Sequence, residues 1–91
     1  MEDKNSMLFF GLVYSMQMTA MQHLGKVKNP ITDKVERSIK DAEALIDMIE
    51  MLRTKTKGNL TEDEEKVIAS ILQDLKLNYV DEIEKEKKED Q

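Results

Sequence analysis

Ninety-one residues make one domain at most, and a chain of this size buries only about 60–65% of its unfolded surface, so its core is thin. With no Cys and a single His, disulfides and thiolate zinc are excluded and an all-protein zinc site is nearly so; self-association is the usual remaining supplement to such a core. A net charge of −5, with 36% charged and 4% aromatic residues, one Pro and three Gly, favours helices over strands and argues against binding DNA phosphate or an anionic membrane surface.

Residues 6–24 contain no Lys, Arg, Asp or Glu, in a chain otherwise dense in charge. At about 100° per residue they predict a helix over 6–24 with a narrow polar seam of Gly11, Ser15, Thr19 and Gln22, flanked by Leu8 and Leu12. The rest of the circumference carries Phe9, Val13, Met16, Ala20 and Leu24 on one side and Met7, Phe10, Tyr14, Met18 and Met21 on the other. A surface helix needs an apolar stripe of only about 100°, so this one wants cover on nearly every side, more than two short neighbouring helices give. The expected remedy is contact with further copies, made by Leu8, Phe9, Phe10, Leu12, Val13, Tyr14, Met16 and Met21. Small residues at 11, 15 and 19 would let another helix approach closely, although the same seam also reads as a solvent-facing side.

The stretch is long enough to cross a bilayer, yet Ser6, Ser15, Gln17, Thr19, Gln22 and His23 are too many polar groups for a span without partners. The opening Met-Glu-Asp-Lys is not the cationic start of a secretory signal, so the expected location is cytoplasmic. Met16 and Met18 point about 200° apart and do not converge as copper ligands; flexible core filling is the better reading. His23 has no local carboxylate partner, and nothing else supplies a nucleophile, base and orienter.

Gly25 ends the first helix as a left-handed C′ residue. Pro30 makes the following segment a connector. The second helix starts either with Asn29 as N-cap and Pro30 at N1, or with Asp33 as N-cap and Glu36 at N3; a start at Thr32 or Asp33 is preferred, giving a helix over 33–57. Val35, Ile39, Ala42, Leu45, Ile46, Ile49 and Leu52 form its apolar face, and Met48 and Met51 lie outside that face as spare apolar surface. Asp41, Glu43, Asp47 and Glu50 diverge around the helix and form no metal site. Gly58 ends this helix, and Thr61 with Glu64 three residues on predicts a capping box opening a third, over 62–80. Two residues between the caps force an antiparallel hairpin. Val67, Ile68, Ile71, Leu72, Leu75 and Tyr79 make the stripe of the third helix, with Leu77, Val80 and Ile83 surplus to it. Residues 81–91 read as a charged extension, frayed helix or disordered, beyond a single domain over 1–80.

Together, LG-x₃-NP-x-T (Leu24, Gly25, Asn29, Pro30, Thr32), Ile46-Asp47, KTKGNLT at 55–61, Glu64-Glu65 and Tyr79-Val80 resemble a family of short bacterial proteins known only as a domain of unknown function. The pattern covers residues 8–80, and KTKGNLT combined with LG and NP is specific. The departure is Asp33, where the family pattern has Gly after the Thr. The resemblance implies a small, helical, bacterial, cytoplasmic protein, with no catalytic residue to carry over.

The fold expected is therefore all-α: a long apolar N-terminal helix with an antiparallel hairpin packed against it, completed by oligomerisation. The expected role is that of a non-catalytic, homo-oligomeric interaction or scaffold protein without metal or cofactor, its partner being itself. Two alternatives follow from other features. One is RNA or anion binding by Lys26, Lys28, Arg53, Lys55 and Lys57, opposed by the four acids at 62–65. The other is an adaptor that offers the apolar helix to a different bacterial protein.

Overall fold

Asp3 opens the first helix: its carboxylate accepts the backbone N–H of Ser6 at 2.8 Å, an N-cap that starts α1 at Lys4–His23, two residues ahead of the expected start. A computed structural model of the chain describes residues 3–89, and all statements below concern those residues. At the other end of α1, Gly25 takes φ +77. Its N–H donates to Gln22 O at 3.0 Å and that of Lys26 to Met21 O at 3.0 Å, the crossed pair of bonds that closes a helix on a left-handed residue. A side chain is unwelcome here on two counts, because a Cβ on Gly25 would also meet the Arg37 side chain at 3.3 Å.

The second helix, α2, is Ile39–Lys55, beginning six residues later than the sequence suggests. The connector uses its polar groups on itself. Asn29 Oδ1 accepts from the N–H of Ile31 (2.9 Å), Asp33 N–H donates to Asn29 O (2.7 Å), and Asn29 N–H donates to Lys34 O (2.9 Å). Asp33, expected as the N-cap, sits at φ 57, the left-handed region that Gly favours. Glu36, expected at N3, accepts instead from Asn29 Nδ2 and Thr32 Oγ1. Val35, expected on the apolar face, is exposed. Ser38 is the actual N-cap, and its N–H donates to His23 O at 2.7 Å, stapling the start of α2 to the end of α1.

Thr61 and Glu64 form the expected capping box: Thr61 N–H donates to Glu64 Oε1 (2.8 Å) and Glu64 N–H to Thr61 Oγ1 (3.1 Å). The helix they open, α3, is Glu62–Glu89. Residues 81–89 continue it as helix, one of the two forms expected for the charged extension, and Glu82 is buried, so α3 runs past the expected end at residue 80; the last two residues lie outside the described part.

Contacts from α1 to α3 join Ser6 to Glu64, Gln17 to Asp74 and Lys26 to Asp81, a near-constant offset that makes the two helices parallel. The hairpin turns α2 antiparallel to α3, and all three helices touch one another. Between them lies one core of Val13, Ala20 and Leu24 from α1 and its cap, Ala42, Ile46 and Ile49 from α2, and Ile68, Ile71, Leu72 and Leu75 from α3. The all-α, three-helix fold is as expected.

Candidate functional site

The burial of Val13, Ala20 and Leu24 fixes how α1 is turned, and so which of its side chains remain outside. Phe9, Met16 and Met21 pack on the edge of the core, and Phe10 is half-buried. The opposite side presents Met7, Leu8, Leu12, Tyr14 and Met18, each between 50 and 65% exposed. Of the eight residues expected at a contact between copies, Leu8, Leu12 and Tyr14 are therefore free to make one. Val13 is not: it is fully buried in the chain's own core. Phe9, Met16 and Met21 are largely committed to the core's edge.

The polar seam is also on this outer side. Gly11, Ser15 and Thr19 are exposed, and nothing lies within 4 Å of where a Cβ on Gly11 would stand. The hydroxyls of the seam turn back on the helix: Ser15 Oγ donates to Leu12 O at 2.7 Å and Thr19 Oγ1 to Ser15 O at 3.0 Å. Their donors are thus satisfied without water, so covering the seam strands none of them.

The five cations considered for anion binding are not brought together. Lys26 lies beyond the end of α1, where its Nζ pairs with Asp81 at 2.8 Å and Glu82 at 2.9 Å. Arg53, Lys55 and Lys57 lie at the far end of α2, about 25 Å away by helix length. Lys28 is exposed beside the first group. Glu50, Arg53, Thr54, Lys57 and Glu65 share a shallow cleft, in which the two carboxylates offset the cations.

Glu82 is the centre of a polar cluster that sequence reasoning missed. Its carboxylate is 8% exposed and takes Lys26 Nζ (2.9 Å), Arg37 Nε (2.9 Å) and Lys85 Nζ (3.1 Å), while Arg37 Nη2 also donates to Glu82 O at 3.1 Å. Hydrogen bonding from Lys26, aided by Lys85 and Arg37, holds Glu82 down at about 2 from an ordinary 4.5, although burial works the other way. Its bonds to Asp81 and Glu82 push Lys26 well above the ordinary lysine value. A signal was present: Glu82 continues the stripe Ile68, Ile71, Leu72, Leu75, Tyr79, seven residues after Leu75. At the other end of the bundle Glu64 is also buried, and accepts from Ser6 Oγ at 2.7 Å; the Thr61 N–H and then the Ser6 hydroxyl lower its pKa.

His23, Ser38 and Asp41 line one cleft of about 270 Å³, but among the described residues no hydrogen bond joins one of these side chains to another; Ser38 Oγ instead accepts the backbone N–H of Asp41 at 3.4 Å and caps α2. Within the described residues no three His, Cys, Asp or Glu are placed to hold a metal ion, and no helix is long and apolar enough to cross a membrane.

Residues 6–82 match the model of a domain of unknown function, DUF1844. The chain belongs to that family. The DUF1844 stretch takes in all of α2, nearly all of α1, and α3 as far as Glu82, so it includes both buried carboxylates, Glu64 and Glu82. No curated protein and no solved structure matches the chain.

Proposed function

We propose that this DUF1844 chain is a non-catalytic interaction protein that assembles with itself through the outer face of α1. The supporting observation is a row of five large apolar side chains, Met7, Leu8, Leu12, Tyr14 and Met18, left at least half exposed on a helix that has no Lys, Arg, Asp or Glu from residue 6 to residue 24. At roughly 100 Å² each, they expose about 500 Å², the upper range of what monomers leave uncovered. With the seam between them the face approaches the ~800 Å² per partner of a standard interface. A contact between copies sets a surface against itself, and an uncharged one meets no like charge there. The bacterial, cytoplasmic setting belongs to the same proposal and rests on the resemblance set out above.

The test is mass by light scattering across a wide dilution series, with helicity followed in parallel. The intact chain is expected at a fixed multiple of 10.6 kDa. Leu8→Glu and Leu12→Glu should fall to single chains that keep their helicity, since neither residue is part of the core. An intact chain that stays helical at single-chain mass at every concentration overturns the proposal.

A further inference from the structure

Resting on the reading that copies of the chain assemble through α1, we infer that the contact continues onto the outer face of α2 and that its two-fold axis passes Met48. α2 carries an outer row of side chains as well as the inner one that meets the core. Asp41, Ala44, Met48, Met51 and Lys55 recur at intervals of three and four residues, the spacing of a helix–helix seam, and all five are exposed. The middle three are uncharged. The two ends carry opposite charges, and neither Asp41 nor Lys55 has an ion-pair partner among the described residues. Glu43, Asp47 and Glu50 stand about 100° or more from Met48 around the helix, and Glu50 already pairs with Lys76 of α3.

What fits this row is the same row run antiparallel. Asp41 and Lys55 each lie seven residues from Met48, so a two-fold axis at Met48 sets Asp41 of each copy against Lys55 of the other. It also sets Ala44 against Met51, small against large, and Met48 against Met48. A parallel pairing would bring like charges together, and sliding the rows by seven residues would set Asp41 or Lys55 against Met48. The axis also meets the apolar edge of α1. Tyr14 and Gln17 share a cleft with Lys66 and Val67 of α3, so Leu8 and Leu12 lie on the side of α1 nearer α2. Ser38 N–H donates to His23 O where these antiparallel helices meet. Leu12 stands eleven residues before His23 and Met48 ten after Ser38, hence at one height. An axis at Met48 therefore keeps Leu12 of both copies beside it. The rival apolar surface, the cleft of about 390 Å³ lined by Leu77 and Val80, has Arg53 and Lys76 on its rim, so that a self-contact there would bring cations towards cations.

Within one chain Asp41 and Lys55 are about 21 Å apart along α2, too far to compensate one another. Asp41→Lys and Lys55→Asp, each of which puts like charges at both ends of the contact, should each weaken self-association about tenfold by light scattering while helicity is unchanged. The two combined should restore it to within about threefold of the intact chain. The chain has no Cys, so one introduced thiol reports one position without background. Met48→Cys is expected to form a covalent dimer under mild oxidation. Helix axes roughly 8–10 Å apart bring the two Cα atoms to about 5 Å, inside the roughly 4.4–6.8 Å a disulfide needs. Leu77→Cys, exposed on α3, is expected to stay single as the collision control.

If the combined exchange rescues nothing, or Met48→Cys does not cross-link, while Leu12→Glu still dissociates the assembly, the Met48 axis is overturned and assembly through α1 stands. If rescue and cross-link both appear but Leu12→Glu leaves the mass unchanged, the axis is upheld and the α1 reading falls. An intact chain at single-chain mass throughout overturns both.

Discussion

Asp33 holds a left-handed backbone with a side chain, at φ 57, and its carboxylate accepts no hydrogen bond among the described residues to offset that strain. Asp33→Gly should relieve more strain than the added freedom of the unfolded chain costs, a net gain of about 0.5 kcal/mol readable as a higher urea midpoint. Glu82 gives the opposite case. Glu82→Gln leaves Lys26 and Arg37 facing a neutral acceptor, and because both cations keep some contact with water the loss should be about 1–2 kcal/mol rather than the 3–5 of a fully buried pair. The charge also makes stability depend on pH. The carboxyl's folded pKa is about 2 against an ordinary 4.5, so its contribution is complete above about 4.5 and is lost as pH falls towards 2. Glu82→Gln should flatten that part of the acid unfolding curve, and an unchanged slope would show that Glu82 does not carry it. Asp33 looked like a cap because Asp commonly is one; for Glu82 the spacing along the stripe of α3 was readable, but its partners, Lys26 and Arg37, were not, because they lie 56 and 45 residues away.

The start of α3 was legible because its cap is a reciprocal pair. Thr61 and Glu64 cap one another within a single turn, and α3 begins where their spacing says. α2 begins late because Asn29, Thr32 and Glu36 satisfy one another across the connector and Arg37 reaches over to α3, none of which a periodicity shows. The C-terminal turns of α3 run further than expected, and they are open to a direct test. A chain ending at Val80 removes Glu82 and leaves Lys26 and Arg37 without their principal acceptor. It should unfold at lower urea by about 2–3 kcal/mol, the sum of the lost cluster and the lost cover from the last turns of α3. A truncated chain as stable as the full one would return residues 81–89 to the status of a dispensable extension. The stripes of α2 and α3 were legible from Ile39 and Ile68 onward because core burial obeys the 3.6-residue period wherever the backbone is already helical.

For the molecule as a whole, the sequence identified a helix with too much apolar surface but not which part of it would stay outside. That depends on how α1 is rotated against two helices made later in the chain. Val13 and Leu12 show the difference between adjacent residues: the first is fully buried, the second half exposed. Val13→Glu should therefore unfold the chain whatever its assembly state, whereas Leu12→Glu should change mass and leave helicity intact, a comparison that circular dichroism and light scattering make together. The parallel pairing of α1 with α3 also bears on synthesis. Ser6 meets Glu64 only after 58 further residues, and Lys26 meets Asp81 after 55. The ribosome makes α1 before either of the helices that cover it. At about 5–20 residues per second, the most apolar segment of the chain waits several seconds for its α3 partner, beside neighbouring nascent chains on the same message that carry the same uncharged surface.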